Sequence, residues 1–266
     1  MPDDRYSRGH HESVLRSHRW RTAQNSAGFL LPHLRPGQDL LDVGCGPGTI
    51  TVDLANAVAP GRVTGIDLST DVIEGARAQL ADGPGNLTFE VDDVYALSFP
   101  DESFDVVYAH QVLQHLSDPV AALRQMRRVL RPGGLLAVRD SDYGAFTWWP
   151  ADPRLDRWNE VYHALTRSNG ATADAGRQLH TWVAAAGFDD GAVSTSTWTF
   201  RTPEERRWFG DLWADRVRRS EFARQTLEDG LATTAELDDF ADAFLRWADD
   251  DEGLFILMHG EVLAHR

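Results

Sequence analysis

Short apolar runs and amphipathic patterns alternate along the first half of the chain. Apolar runs bounded by Gly, Pro or Asp predict five strands, at 39–43, 62–67, 87–91, 104–109 and 135–139. Helical periodicity predicts the connections between them, at about 48–58, 69–80 and 118–130. Parallel strands need such crossovers. The pattern therefore predicts an α/β fold with a doubly wound, mostly parallel sheet.

After Asp140 the pattern changes. We predict an aromatic loop at 142–150 and helical segments at 153–167, 172–186 and 203–249. We also predict two strands, at 191–200 and 254–263. The first of these strands alternates Val and Thr with other residues, a period of two. We therefore expect a seven-stranded sheet with helical cap segments. We expect a single domain with three parts. An N-terminal helical cover spans 1–36, and an α/β core spans 37–141, 187–202 and 253–266. Two helical cap segments span 142–186 and 203–252.

Charge and cysteine content exclude several classes of function. The 266-residue chain carries a net charge of −15, and its bases are all arginine. An acidic chain repels phosphate backbones, so we expect no nucleic-acid partner, and we interpret the basic run 216–219 as a solvated helix face. The single cysteine, Cys45, excludes an intrachain disulfide. With a polar start and no run long enough for a membrane span, we expect a cytoplasmic protein.

Three glycines, Gly44, Gly46 and Gly48, separate the first strand from its helix. Such a loop lets a ligand approach the backbone, and the helix start offers free amides, so a nucleotide-like ligand is indicated. A dinucleotide fingerprint would need Gly or Ala where Thr49 stands. That mismatch weighs against an NAD-dependent oxidoreductase. Asp67, which ends the second strand, could bind the ribose hydroxyls of NAD or of another nucleoside ligand, so it does not discriminate between them.

Four stretches resemble the class I S-adenosylmethionine-dependent methyltransferases. They read LLDVGCGPGTIT at 40–51, VTGIDLS at 63–69, VDDVYALSFPDESFDVV at 91–107 and VLQHLSDPVAALRQMRRVLRPGGLL at 112–136. Within that family they are most similar to the small-molecule branch typified by ubiquinone and menaquinone biosynthesis enzymes. The resemblance implies a Rossmann-like methyltransferase fold and in-line transfer to an O, N or C atom of a small organic acceptor. S-adenosylhomocysteine would be the product, and no metal is required.

The resemblance also implies a cofactor site. Its residues would be Asp42, Gly44, Cys45, Gly46, Asp67, Leu68, Asp92, Asp93, Val94, His110 and Gln111. Asp42 would lie near the ammonium group, Asp67 would bind the ribose hydroxyls, and Leu68 would pack on adenine. Asp93 and the Val94 amide would bind the adenine edge. Asp92 stands where relatives often have glycine, so either aspartate could reach adenine.

Residues for the acceptor side are less specific. A general base is needed only if the acceptor must lose a proton, and the candidates are His110, His115 and Tyr143. His110 could instead orient the reactants, and His115 could be structural. Phe146, Trp148 and Trp149 are predicted to line a pocket for an apolar or aromatic acceptor.

Other polar residues extend the list of candidates. Asp142 follows the fifth strand beside Tyr143, and three further residues could hold a carboxylate or carbonyl of the acceptor: Arg139, Asn169 and Arg177. Three early histidines, His10, His11 and His18, could suggest a metal, but a polar helix is favoured because no acid or cysteine cluster lies nearby. An adenosyl-binding scaffold without transfer activity is a further alternative.

Overall fold

The strands form one sheet in this computed structural model, which describes residues 20–79, 83–189 and 191–266. They are β1 (Leu40–Val43), β2 (Val63–Asp67), β3 (Leu87–Val91), β4 (Phe104–His110), β5 (Leu130–Ser141), β6 (Thr147–Trp149), β7 (Ala192–Phe200) and β8 (Leu254–His265). The order is β3-β2-β1-β4-β5-β8-β6, and β7 also pairs with β8. Strands β1 to β5 are parallel, whereas β8 is antiparallel to β5, β6 and β7. The predicted doubly wound, mostly parallel sheet is confirmed; β6 is an additional strand within the predicted aromatic loop.

Helices connect and cover these strands. They are α1 (Ala23–Ser26), α2 (Thr49–Val58), α3 (Thr70–Gln79), α4 (Pro119–Val129), α5 (Pro153–Ser168), α6 (Leu179–Ala185), α7 (Pro203–Arg219), α8 (Glu221–Glu228) and α9 (Thr234–Asp249). Asp118 caps α4 by accepting a hydrogen bond from Ala121 N at 2.9 Å. Capping boxes begin α7 and α9.

Helices cover both faces of the sheet. Leu41 packs in a cluster with residues of α4 and α6, whereas Leu40 packs with α1 and α2. Successive strand residues point to opposite faces, so a strand covered on both sides is a continuous apolar run. This is why the sequence of β1 shows no alternation.

A separate aromatic core joins α5, α7, α8 and α9. We call these four helices together the cap. Trp158 lies 4.6 Å from Trp213 and 5.0 Å from Phe244, edge to face in both cases. The cap also buries one face of β7, including Trp198 and Phe200. The period of two predicted for this strand is present from Ser196 to Phe200, where the Thr side chains are exposed, whereas residues 192–195 are exposed on both faces.

Arg216 corrects one prediction about the basic run 216–219. It is only 3% exposed, although the run was interpreted as a solvated helix face. The reason is its position three residues after Trp213 on the buried side of α7, where its guanidinium lies 4.5 Å from the Trp213 ring. Arg219, in contrast, is exposed and pairs with Asp215.

The predicted N-terminal helical cover at 1–36 lies partly outside the described residues. Within them, α1 and a 3₁₀ turn at Leu31–His33 occupy the end of that range. Among the helices that the structure describes, none is long and apolar enough to cross a membrane.

Candidate active site

The glycine loop joins β1 to α2 at the carboxyl edge of the sheet. Gly44, Gly46 and Gly48 have φ values of 68°, 56° and 80°, in the left-handed region. A Cβ on Gly44 would lie 2.4 Å from the side chain of Val112, just after β4. The loop therefore needs glycine both for its backbone conformation and for its close approach to the neighbouring segment.

Asp42 lies directly before this loop and is 2% exposed. Thr51 of α2 donates a hydrogen bond of 2.7 Å to its carboxylate. Burial raises the pKa of Asp42 to about 7; the Thr51 hydrogen bond opposes this shift and the charge of nearby Asp67 adds to it. A cationic ligand would favour the ionised carboxylate. Asp42 therefore suits a ligand with an ammonium group.

Asp67 ends β2 and faces the same loop. One carboxylate oxygen accepts a hydrogen bond from Gly46 N at 3.2 Å, and the other accepts from Ser69 N at 3.0 Å. Carboxylate oxygens can each accept more than one bond, so Asp67 can also accept from ligand hydroxyls. The adjacent Leu68 is 70% exposed. This edge thus combines a hydroxyl acceptor with an apolar surface.

The two aspartates after β3 have different surroundings. Both oxygens of Asp92 accept hydrogen bonds within the loop, from Asp93 N at 2.9 Å and from Ser98 N at 3.0 Å. Asp93 accepts from Tyr95 N at 2.9 Å through Oδ1. Asp92 therefore shapes the loop, and Asp93 is the better placed of the two to reach a ligand.

Gln111 follows β4 with φ of 54°, a conformation that is uncommon outside glycine. Its Oε1 accepts from Arg21 Nη2 at 2.8 Å, and its Nε2 lies 2.9 Å from His259 Nε2. Because arginine only donates, the amide oxygen must face Arg21, and the amide NH₂ donates to His259. His259 therefore accepts at Nε2 and is neutral in this arrangement.

His110 ends β4 and is 6% exposed. Its Nδ1 lies 3.4 Å from Arg139 Nη1, so it accepts this long hydrogen bond, and the proton of the neutral ring is on Nε2. The His110 ring lies 5.6 Å from Trp198 and 6.2 Å from His259. Two histidines and a tryptophan thus lie together beside Gln111.

The other predicted catalytic residues lie in two short turns. His115 is half-buried in the 3₁₀ turn Leu113–His115 after β4. Tyr143, in the turn after β5, is 2% exposed and stacks on Tyr162 with ring centroids 4.0 Å apart. The catalytic roles of these residues and of His110 stay predictions.

The side chains predicted to hold an acceptor carboxylate have partners within the protein. Arg177 Nε donates to Asp142 at 2.7 Å, and Arg139 Nε donates to Glu261 at 3.2 Å. Asn169 Nδ2 donates to Gln225 at 2.8 Å. In these contacts the three side chains bind groups of the protein itself, in place of the acceptor carboxylate or carbonyl that was predicted.

An aromatic cavity lies between the sheet edge and the cap. Its lining includes Tyr143, Phe146, Trp198, Phe200, Phe209 and Trp213, together with Gln111, Arg21 and Arg216. The enclosed space is about 30 Å³, enough for one or two water molecules. An aromatic molecule would need some of these side chains to rearrange.

The three aromatic residues predicted to line a pocket separate in the structure. Phe146 lines the cavity, whereas Trp148 packs on Phe255, with ring centroids 5.4 Å apart. Trp149 is 54% exposed at the end of β6. Neither tryptophan lines this cavity, and Trp148 instead lines a more polar depression with Asn159 and His163.

The histidines considered for a metal, at positions 10, 11 and 18, lie outside the described residues. Within the described ranges, no group of three or more His, Cys, Asp or Glu side chains could hold a metal ion. Cys45 of the glycine loop is a free thiol. Burial raises its pKa well above the usual value, and the charges of Asp42 and Asp67 add to the shift.

Most of the cavity lining was not predicted from the sequence as site residues, including Arg21, Trp198 and Arg216, and neither was His259 beside it. His259 had a signal, since it interrupts the apolar run of β8. Arg216 also had one, since it extends the apolar stripe of Phe209 and Trp213 on α7. Their shared location depends on strand pairing and on the position of the cap.

Comparisons with known proteins agree with this geometry. A sequence model described as a methyltransferase domain matches residues 34–187, more than half of the chain. The chain belongs to this methyltransferase family. An uncharacterized methyltransferase of Schizosaccharomyces pombe is 33% identical over 97% of this chain and 95% of its own. The predicted S-adenosylmethionine-dependent methyltransferase of class I is therefore confirmed as the enzyme class.

Two further methyltransferases are similar to this chain in part of its sequence or in its fold. A demethylmenaquinone methyltransferase of Symbiobacterium thermophilum is 32% identical over 47% of this chain and 55% of its own. A phosphoethanolamine N-methyltransferase of Haemonchus contortus was solved with phosphomonomethylethanolamine and S-adenosylhomocysteine. It superposes with a TM-score of 0.54 at 21% identity, covering 87% of this chain and 50% of its own. At that identity the structural match supports the fold alone.

Proposed function

We propose that this methyltransferase transfers a methyl group from S-adenosylmethionine to an O, N or C atom of a small apolar or aromatic acceptor. When bound, the donor supplies an electrophilic methyl group on a sulfonium cation. The observation that carries the proposal is the buried Asp42 carboxylate beside three left-handed glycines. A carboxylate with its pKa raised to about 7 by burial gains most from a cationic ligand.

The donor site uses the carboxyl ends of three neighbouring strands. Asp42 receives the ammonium group, and the loop amides from Gly44 to Gly46, with Cys45 between them, face the methionine part. Asp67 binds the ribose hydroxyls while the exposed Leu68 packs on adenine. Asp93 and the Val94 amide bind the adenine edge, because Asp92 is engaged with Ser98. Ligands of open α/β sheets bind at this edge.

The aromatic cavity is the proposed acceptor pocket. Gln111 lines it and also follows the strand next to β1, so the cavity adjoins the glycine loop. Aromatic walls favour an apolar or aromatic molecule. The name of the Symbiobacterium relative also refers to a small-molecule acceptor.

Positioning is the main catalytic contribution that we assign to the protein. Gln111 is held between Arg21 and His259, so its backbone and side chain are fixed beside the reacting groups. His110 acts as an N–H donor that orients reactants, because its Nδ1 already accepts from Arg139. His115 and Tyr143 are the remaining candidates for a base where an acceptor must lose a proton.

Calorimetric titration tests the proposed donor. S-adenosylhomocysteine should bind, NAD(H) should not, and Asp67→Ala should abolish binding. Asp71→Ala, which removes an exposed acid four residues away, is the matched control and should bind normally. Labelled methyl transfer into a metabolite pool, with the product identified by mass spectrometry, then identifies the acceptor. Binding of NAD(H) alone would overturn the proposal, and binding without any transfer would favour the scaffold alternative.

Two further assignments belong to this proposal. The segments 1–36, 142–186 and 203–252 cover the acceptor, and the remaining segments form the cofactor-binding core. The cap cluster supports the role of 203–252, since α7 contributes Phe209 and Trp213 to the cavity. A single cysteine supports a reducing, cytoplasmic setting.

A further inference from the structure

The cavity combines aromatic walls with positive charge. Arg21 and Arg216 line it, and among the described lining residues neither Asp nor Glu occurs. Arg216 is 3% exposed and Arg21 is 7% exposed. At such sites charges are screened far less than at the surface, so the two guanidinium groups bring positive charge to the cavity wall.

The position of Arg216 on α7 makes this charge part of the pocket wall. Phe209, Leu212, Trp213 and Arg216 recur at helical spacing and all line the cavity. The Trp213 ring supports the guanidinium at 4.5 Å. Position 216 continues the apolar stripe of α7, and it is occupied by an arginine instead of an apolar residue.

Arg21 also lines the cavity. Its guanidinium donates to Gln111 and lies 5.4 Å from the Trp198 ring. Gln111 follows β4, the strand that pairs with β1, at the same sheet edge as the glycine loop. Positive charge is therefore present on the α7 wall and beside Gln111.

We propose that the acceptor is an aromatic acid, whose ring occupies the cavity between sheet and cap and whose anionic oxygen group binds Arg216, assisted by Arg21. This inference rests on the proposed function and names its substrate class. A ring carboxylate and an ionised ring hydroxyl share the required chemistry. A cationic amine of the same size is excluded by the two arginines.

The test is calorimetric titration of protein saturated with S-adenosylhomocysteine. The probes share one ring system: naphthoate, an ionised nitronaphthol, the neutral methyl naphthoate and the cationic naphthylmethylammonium. The wild-type protein should bind at least one anion about 10-fold or more tightly than the neutral ester. The stronger of the two anions distinguishes a carboxylate from an ionised hydroxyl. Equal binding of ester and anions, or preference for the ammonium probe, would overturn the inference.

Variants of α7 assign the preference to one residue. Arg216→Gln should weaken anion binding about 10- to 100-fold and leave the ester unchanged, whereas Arg216→Lys should keep part of the preference. Arg219→Gln removes the same charge from the exposed face of the helix and should bind like the wild type. If Arg216→Gln weakens ester and anion equally, the residue is structural and the assignment fails.

The same titration separates two kinds of failure. Loss of S-adenosylhomocysteine binding in the wild-type protein would contradict the proposed function itself. Normal binding of S-adenosylhomocysteine without anion preference contradicts only the substrate class. If Arg216→Gln does not fold, the probe series on the wild-type protein still decides the substrate class, and Arg21→Gln should reduce anion binding by a smaller factor.

Discussion

The two ends of strand β1 carry aspartates three residues apart with opposite electrostatics. Asp39, at the amino end, is bonded by Arg62 and Arg131, and the Arg62 hydrogen bond lowers its pKa to about 2 even though burial opposes the shift. Asp42, at the carboxyl end, is buried against Thr51, and burial raises its pKa to about 7. A paired carboxylate stabilises the fold. A desolvated one stores free energy that a cationic ligand can recover.

The glycines on either side of β1 also differ in their surroundings. Gly37 and Gly44 both have positive φ, at 91° and 68°. A Cβ on Gly37 would meet nothing within 4 Å, whereas one on Gly44 would meet Val112 at 2.4 Å. The backbone conformation is therefore similar at both ends, and only the carboxyl end adds close packing around the proposed site.

The largest expected effect comes from breaking this packing. Gly44→Ala should reduce S-adenosylhomocysteine affinity by about 100-fold or more, because left-handed strain is combined with a clash that displaces the loop. Gly37→Ala should cost about 1 kcal/mol of stability and leave the affinity unchanged. Calorimetry and thermal unfolding measure the two quantities. Equal losses of affinity in both variants would contradict the functional contrast.

Asp42→Asn should separate stability from binding. Because the folded-state pKa of Asp42 is raised to about 7, its contribution to stability is present below pH 4 and is lost as pH rises through 7. At pH 8 the neutral variant should therefore be more stable than the wild-type apoprotein, by up to about 4 kcal/mol. Denaturant unfolding at pH 4 and pH 8 measures the difference, which should disappear at the lower pH.

The same variant should bind S-adenosylhomocysteine more weakly. Wild-type affinity should rise between pH 6 and pH 8 as Asp42 ionises, and the variant should lack this dependence. An affinity that does not rise with pH would show that Asp42 does not face the ammonium group, whereas a variant that gains no stability at pH 8 would show that burial does not raise the pKa of Asp42.

Asp39→Asn should give the smallest effect and the opposite pH dependence. Because the folded-state pKa is lowered to about 2, the stabilisation is present above pH 4 and is lost as pH falls through 2. Arg62 is exposed, so water screens the pair and we expect a loss of about 1 kcal/mol at pH 7. S-adenosylhomocysteine affinity should not change; a clear loss of affinity would remove the contrast between the strand ends.

The donor side of the molecule could be predicted from the sequence to a large extent. Asp42, the glycines and Thr51 lie in one strand–loop–helix unit, whose geometry depends mainly on local backbone preferences. Parallel pairing of β1 with β2 then places Asp67 close to the loop, as expected for adjacent strand ends. Short-range patterns were sufficient because β1, the glycine loop, α2 and β2 follow one another in the chain.

The acceptor side could not be predicted in the same way. His259 is brought to Gln111 by the antiparallel position of β8, which lies 148 residues later in the chain. Trp148 and Trp149, in contrast, belong to β6 and do not line this cavity. Aromatic content alone does not distinguish a pocket wall from a core, because both bury the same kind of surface.

The sequence by itself therefore determined the α/β class, the succession of strands and helices along the parallel part of the chain, and the chemistry of the glycine loop. Local periodicity and turn chemistry encode these features within about 30 residues. Only the tertiary structure decided which face of β7 is buried, that Arg216 lies inside, and that two arginines line one aromatic cavity. Those outcomes depend on how the cap packs on the sheet edge, and contacts between distant segments leave no local pattern to detect.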